Sequence, residues 1–101
     1  MVDLKIQLPE GFLKEEERDG FLVTSEVKEL WAVLLDILMQ IDAICKNNGI
    51  EYFLCGGTLL GAVRHKGFIP WDDDLDIMMK RNDYNRFCEI APFALQQPYF
   101  F

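Results

Sequence analysis

The sequence predicts a small mixed α/β domain of the α+β type, in which a small sheet is flanked by helices. Apolar residues after Ser25 recur at three- and four-residue steps, which is typical of a long amphipathic helix. Two later segments, residues 50–55 and 74–79, are short and rich in apolar residues, as strands are. Helical patterns follow both segments, and the 101 residues suffice for one core of this kind.

The chain is expected to open with an extended lead-in, residues 1–24, before a domain that spans residues 25–101. Proline and glycine punctuate the lead-in at several points. Its charged run, residues 15–19, is most simply a solvated turn or a short helix. The long helix is therefore the first element of the domain itself.

This long helix is predicted to begin at Ser25 and to close at Gly49. Ser25 or Thr24 can cap its first turn, and Gly49 suits the left-handed position that follows a helix. The apolar stripe, which includes Trp31 and Cys45, is expected to face the core. The opposite side is expected to carry the polar residues Glu29, Asp36, Gln40 and Asn47.

A strand, a short helix and a second strand are predicted next. The first strand ends at Gly56-Gly57, and Thr58 is expected to cap a helix that runs from Leu59 to about His65. A loop then leads to the second strand, residues 74–79, whose start alternates acidic and apolar residues.

A third helix is predicted to begin with Asn82 as its cap and to stop at Pro92. Its buried stripe is expected to contain Tyr84, Phe87, Cys88 and Ala91. The tail, residues 96–101, is largely apolar and has no local partner in the sequence. We therefore expect the chain to be the N-terminal portion of a larger domain.

Composition restricts the classes of partner. The net charge of −7 argues against nucleic acid as a bulk electrostatic partner. No signal segment begins the sequence, and its longest apolar stretch is too short to span a membrane. Three cysteines without a C-x-x-C pair are expected to be buried reduced thiols. These features favour a cytoplasmic protein, peripheral at most at the inner membrane face, and leave the oligomeric state open.

The Gly56-Gly57-Thr58 segment is a candidate phosphate site. Glycines leave the backbone bare, so a phosphate can approach it without meeting a Cβ atom. The helix that follows points unpaired N–H groups at the same place, and Thr58 adds a hydroxyl. A glycine pair between a strand and a helix is also common as a simple tight turn.

The acidic run that follows is the more specific signal. On a strand, alternate residues share a face, so Asp72, Asp74 and Asp76 can point together, with Asp74 and Asp76 the favoured pair. Carboxylates held on one face suit a hard cation such as Mg²⁺ or Mn²⁺. A solvated acidic turn would explain Asp72 and its neighbour Asp73. A helix-loop-helix calcium loop is rejected, because Ile77 occupies its glycine position.

Three basic residues lie between these motifs. Arg64 and Lys66 suit a substrate phosphate or a sugar carboxylate, although cations at the end of a helix also satisfy its dipole. His65 is expected to have a structural role in the loop. Trp71 could stack on a base or close the pocket as a hydrophobic plug.

The run from Tyr52 to Ile77 resembles the LicD family, which has the nucleotidyltransferase fold and includes the fukutin-related proteins. The string G-T-L-L-G-x-x-R-x-x-G-x-I-P-W-D-D-D-x-D, which begins at Gly57, carries the resemblance. The resemblance extends through Tyr84 and back through the long helix, and so covers most of the chain after Ser25.

The resemblance implies a nucleotidyltransferase-like core and an Mg²⁺-dependent transferase. Such an enzyme moves a phosphorylated alcohol, for example phosphocholine, from a CDP-linked donor to a glycan acceptor. Gly56 and Gly57 match the turn that holds donor phosphate, and Asp74 and Asp76 match the two carboxylates that bind the metal.

One departure from the family fold leaves two alternatives open. The fold takes a third carboxylate from a later strand, and no acid after Asp76 fits that role, since Asp83 and Glu89 fall on the third predicted helix. A truncated, noncatalytic member that acts as a binding module is one alternative. A nucleotidyltransferase that uses CTP is the other.

Overall fold

A computed structural model of the chain describes residues 4–96 and residue 99, and its mixture of helices and small sheets confirms the α+β class. The elements, in chain order, are β1 (Glu16–Arg18), β2 (Phe21–Val23), α1 (Ser25–Asn48), β3 (Phe53–Leu54), α2 (Gly56–Arg64), β4 (Ile77–Met78) and α3 (Arg81–Ala94). The strands form two separate antiparallel pairs, β1 with β2 and β3 with β4. The expectation for residues 96–101 lies largely outside the described residues.

The long helix α1 has the predicted ends. The Thr24 hydroxyl accepts a hydrogen bond from the Val27 N–H at 3.3 Å, which satisfies one free donor of the first turn. Gly49 follows the helix with φ of 64°, and its N–H donates to the Cys45 carbonyl. A glycine adopts this left-handed conformation without strain. Both helix signals in the sequence are local, and both predictions are confirmed.

The main core lies between the second half of α1 and α3. Its buried cluster consists of Ile44, Cys45, Ile50, Phe87 and Ala91. Helix α3 begins two residues earlier than predicted, with Lys80 rather than Asn82 at the cap. It also continues through Pro92, because the Leu95 N–H closes the following turn on the Ala91 carbonyl at 3.0 Å. The buried stripe is narrower than expected, since Tyr84 is 44% exposed.

The two central strands are shorter than predicted. Only two residue pairs form the ladder, Phe53 with Met78 and Leu54 with Ile77. Asp74 and Asp76 therefore precede β4 instead of lying within a strand. The apolar composition correctly predicted which two segments pair, but it did not predict how few residues the strands contain.

The lead-in contains a hairpin that the sequence interpretation missed. Glu16 pairs with Val23 and Arg18 with Phe21, so the connection has two residues. Those residues, Asp19 and Gly20, have φ values of 50° and 77°. An Asp-Gly pair is a strong signal for a tight two-residue hairpin turn. The prediction of a solvated turn or short helix was therefore wrong for Glu16–Arg18, which form a strand.

Asp36 lies on α1 and was expected to face solvent, but it is only 2% exposed. One carboxylate oxygen, Oδ1, accepts hydrogen bonds from the N–H groups of Lys5 and Ile6, both at 3.0 Å. The other, Oδ2, accepts a hydrogen bond from the Tyr99 hydroxyl. A buried carboxylate requires such donors. Asp36 thus joins the lead-in and the tail to the middle of the helix.

All three cysteines are free thiols, as expected, but only Cys45 is buried. Cys55 and Cys88 are half-buried, so the prediction of burial was wrong for these two. None of the helices in residues 4–96 is long and apolar enough to cross a membrane.

We predict that Asp36→Ala lowers the free energy of unfolding by about 2 kcal/mol or more, because it leaves several donors without their acceptor. Asp36→Asn retains one carbonyl acceptor and should lose less. Lys46→Ala is the control, since Lys46 forms an exposed pair with Asp42 on the same helix and should cost less than about 1 kcal/mol. Urea titration of the three variants measures the differences. Equal losses for Asp36→Ala and Lys46→Ala would contradict the role of Asp36.

A second prediction concerns alkaline pH. Burial and a 2.9 Å hydrogen bond to Asp42 raise the pKa of Tyr52 from 10.0 to about 12. Between these values the unfolded chain loses the phenolic proton while the folded chain retains it, so the free energy of unfolding should fall as pH rises. Tyr52→Phe should make this decline shallower in urea titrations from pH 9 to 12. An unchanged slope would contradict the prediction.

Candidate active site

The first half of the site is the junction of β3 and α2. Cys55 is extended and precedes the helix, and Gly56, the first helical residue, has φ of 55°. This left-handed angle favours glycine. The helix therefore begins at Gly56, three residues before the predicted start at Leu59. Gly57 and Thr58 lie in its first turn, so Thr58 is not the cap.

Thr58 instead joins the two sequence motifs. Its Oγ1 accepts a hydrogen bond from the Asp76 N–H at 2.7 Å, and the Cys55 N–H donates to the Asp76 carbonyl at 3.2 Å. These two bonds hold the acidic segment against the first turn of α2. A hydroxyl that accepts one bond still has its own proton to donate. Thr58 can therefore both position the acids and contact a ligand.

The acidic side chains lie close to the glycines. A Cβ atom at Gly57 would lie 2.7 Å from Oδ2 of Asp72, and one at Gly56 would lie 3.7 Å from Oδ2 of Asp76. Because neither glycine has a Cβ atom, these carboxylates can lie close to the backbone there. Repulsion from the neighbouring Asp76 carboxylate, together with burial and the charges of Asp72 and Asp73, raises the pKa of Asp74 above its usual range.

A cavity of about 300 Å³ opens beside these groups, and we call it the site cavity. Of the predicted site residues it is lined by Gly57, Thr58, Lys66, Asp72 and Asp74. Gly56 and Asp76 do not line it, but the Asp76 N–H is bonded to Thr58, which does, and Asp76 lies beside Gly56. Much of the remaining wall is apolar and comes from α1 and the loop after α2, including Trp31, Leu35, Leu38, Phe68 and Ile69.

Two predicted site residues lie elsewhere. Arg64 does not line the site cavity. Trp71 is 59% exposed, and its ring contacts Phe21 and His65 edge-on, with centroids 6.1 and 6.2 Å away. Lys66 therefore lines the same cavity as Asp72 and Asp74, whereas Arg64 and Trp71 do not.

Helix α1 supplies residues that sequence reasoning did not assign to the site. The Trp31 indole N–H donates to the Asp72 carbonyl at 2.8 Å, and its ring stacks on Phe68 at 5.0 Å. Lys28, only 3% exposed, lines the site cavity and pairs with Glu16 at 2.8 Å. The signal was present in the spacing, because Lys28 lies on the same helical face as Trp31 and Leu35.

The hairpin also reaches the site. Arg18 lines the site cavity, and its guanidinium lies 5.8 Å from the centroid of the Trp31 ring. Glu16 accepts hydrogen bonds from Lys28 and from Arg18, which lower the pKa of its carboxyl. The cations at this wall are therefore held by a carboxylate that is not one of the site acids.

The carboxylate oxygens at the site cavity fit a hard divalent ion that takes its remaining ligands from a substrate and from water. Asp72 and Asp74 offer carboxylate oxygens on one cavity, and Asp76 lies next to them. Within residues 4–96 and 99, no group of three or more His, Cys, Asp or Glu side chains is arranged to hold a metal. Mg²⁺ commonly takes only one or two protein carboxylates and completes its shell with water and phosphate oxygens.

Comparison with known proteins confirms the resemblance. Residues 49–100, which contain both motifs, match the family described as LicD/FKTN/FKRP, nucleotidyltransferase domain. The lipopolysaccharide cholinephosphotransferase LicD of Haemophilus influenzae is 52% identical over 64 residues, which cover 63% of this chain and 24% of that protein. An uncharacterized protein of Rickettsia typhi, RT0683, is 42% identical over 66 residues, covering 65% of this chain and 21% of that protein.

A vertebrate relative matches a shorter stretch. The human ribitol 5-phosphate transferase FKRP is 49% identical over 41 residues, which cover 41% of this chain and 8% of FKRP. The chain therefore spans about a quarter or less of the length of these relatives. No solved structure matches the chain.

The loop after α2 provides a test of the site's framework. A Cβ atom at Gly61 would lie 2.5 Å from the Gly67 carbonyl oxygen and 3.0 Å from the Ile69 nitrogen, so backbone atoms would have to move. Gly61→Ala should lower the free energy of unfolding by about 1–3 kcal/mol, although alanine is otherwise the better helix former.

Gly67→Ala is the matched control, because nothing lies within 4 Å of a Cβ atom there. It should leave stability almost unchanged or raise it slightly. Thermal and urea unfolding of both variants measures the difference. A neutral Gly61→Ala would show that the loop does not pack on α2 in this way.

Proposed function

Because the chain belongs to the LicD/FKTN/FKRP nucleotidyltransferase-domain family, we propose that it forms the donor-binding part of a phosphoalcohol transferase. The enzyme transfers a phosphorylated alcohol, such as phosphocholine or ribitol phosphate, from a CDP-linked donor to a glycan. Magnesium or manganese is the proposed cofactor. The cholinephosphotransferase LicD and the ribitol 5-phosphate transferase FKRP support the class of group transferred.

The observation that carries this proposal is the approach of the acids to the glycine pair. Asp72 and Asp74 line the same cavity as Gly57 and Thr58, and the Asp76 backbone is bonded to Thr58. Ligands for a cation and an open helix start for a phosphate therefore lie together. A CDP-linked donor requires both, because its two phosphates carry negative charge that a cation must balance.

Each residue has a distinct role in this arrangement. Gly57 and Thr58 receive a donor phosphate at the start of α2, where free N–H groups and the helix dipole favour an anion. Lys66 lies on the same cavity and balances charge on the departing nucleotide. Asp74 and Asp76 hold the divalent ion, and Asp72 lies beside them. When bound, that ion supplies a Lewis acid that polarises the transferred phosphoryl group.

The apolar wall has a role as well. Trp31, Leu35 and Phe68 limit the access of water to one side of the cavity. Attraction between the cation, the acids and the phosphates is stronger where water is excluded. Trp31 also fixes the Asp72 backbone through its indole N–H, so the wall and the acid are positioned together.

One observation favours the alternative of a noncatalytic binding module. The described residues hold no set of three metal-ligating side chains, and the family fold takes a third carboxylate from a later strand. A binding module would retain the donor and perform no transfer. Release of CMP from CDP-choline or CDP-ribitol, in the presence of a glycan acceptor, would exclude this alternative.

We predict that Asp74→Asn and Asp76→Asn each weaken Mg²⁺-dependent binding of CDP-choline or CDP-ribitol about tenfold or more, since each removes a charged ligand. Asp73→Asn is the control, because it removes the same charge from the same run, and Asp73 is neither a proposed ligand nor a residue of the site cavity. Isothermal titration with and without Mg²⁺ measures the three affinities. Equal effects of all three substitutions, or no effect of any, would contradict the metal role.

A further inference from the structure

A second recess, which we call the basic cleft, opens beside the site cavity. It is an open cleft of about 590 Å³, lined by Arg18, Asp19, Arg64, His65 and Lys66. One wall comes from the hairpin turn between β1 and β2, and the other comes from the end of α2 and the residues after it. The fold thus brings together two charged segments that are remote from each other in the sequence.

The charge of the basic cleft is opposite to that of the chain. Arg18, Arg64 and Lys66 are cations, whereas Asp19 is the one carboxylate among the described residues that line the cleft; Glu16, which pairs with Arg18, does not line it. Asp19 is already engaged, because His65 Nδ1 lies 2.9 Å from its Oδ2. The whole chain has a net charge of −7, so this concentration of positive charge is local. Fixed cations around a recess attract phosphate or carboxylate groups.

The helix dipole does not account for this arrangement. Arg64 lies in the last turn of α2, where a cation is favourable for the helix alone. Arg18, however, belongs to β1, and its contacts with Glu16 and the Trp31 ring do not involve α2. Those contacts hold the guanidinium at the cleft. A second, independently positioned cation indicates a ligand rather than a helix end.

We propose that the basic cleft binds an anionic group, a phosphate or a carboxylate, of the glycan acceptor. This inference rests on the proposed transferase function. Arg18 and Lys66 line both the cleft and the site cavity, so the two recesses adjoin. Gly57, Thr58, Asp72 and Asp74 line only the site cavity. Arg64 lines only the cleft and Lys28 only the site cavity, whereas Arg18 and Lys66 lie between the two.

The test uses acidic sugars in the presence of EDTA, where the proposed donor site cannot use a metal. Glucose 6-phosphate and glucuronate should bind in NMR titrations, and neutral glucose should not. Arg64→Gln should raise the dissociation constant about tenfold, because it removes a charged donor from the cleft. Arg81→Gln is the matched control, since Arg81 is exposed and lies over the Tyr84 ring, away from the cleft. It should change the constant less than twofold.

Several outcomes would overturn the inference. Equal dissociation constants for Arg64→Gln and Arg81→Gln would show that the cleft does not bind the acidic sugar. Binding that requires Mg²⁺ and is lost in Asp74→Asn would place the sugar's anion at the donor site instead. Titration of CDP-choline with Mg²⁺ separates the two proposals. If that donor fails to bind while glucose 6-phosphate still depends on Arg64, the transferase proposal fails and the anion site stands.

Discussion

The hydrogen bond from the Asp76 N–H to the Thr58 hydroxyl joins the two motifs of the candidate site, the acidic segment and the glycine pair at the start of α2. It fastens an acidic segment, which would otherwise be an extended connection, to the first turn of a helix. The Cys55 N–H, bonded to the Asp76 carbonyl, holds the same residue from the other side. Negative side chains are thereby kept beside a helix start that itself favours anions. Such an arrangement is most favourable when a cation and a phosphate ligand are present together.

The features that could be predicted from sequence are those set by neighbours along the chain. The ends of α1 follow from Thr24 and Gly49, because capping by a hydroxyl and a left-handed glycine both depend on residues nearby in the sequence. The lengths of β3 and β4 depend on a partner strand, and apolar composition says little about where pairing stops. The path of α3 through Pro92 depends on its packing against α1, which also lies beyond local sequence signals.

The candidate site divides in the same way. Gly57, Thr58, Asp72 and Asp74 belong to two short motifs, and the sequence was sufficient to place them together. Arg18 and Lys28 come from the hairpin and from α1, and only the folded chain brings them to the cavity. The apolar periodicity of α1 predicted a helix that packs in the core and contributes no residue to the site. A helix with one apolar face can still present a charged side chain on that face if a partner such as Glu16 compensates it.

The buried carboxylate of Asp36 has a practical consequence for recombinant work. Its hydrogen bonds to Lys5 and Ile6 make the opening residues part of the folded unit rather than a dispensable leader. An expression boundary placed at the start of the long helix would remove those donors. The resulting protein would retain the glycine and acidic motifs, but the Asp36 carboxylate would lack its backbone donors. Loss of solubility in such a shortened version would then reflect this unpaired carboxylate and not a defect in those motifs.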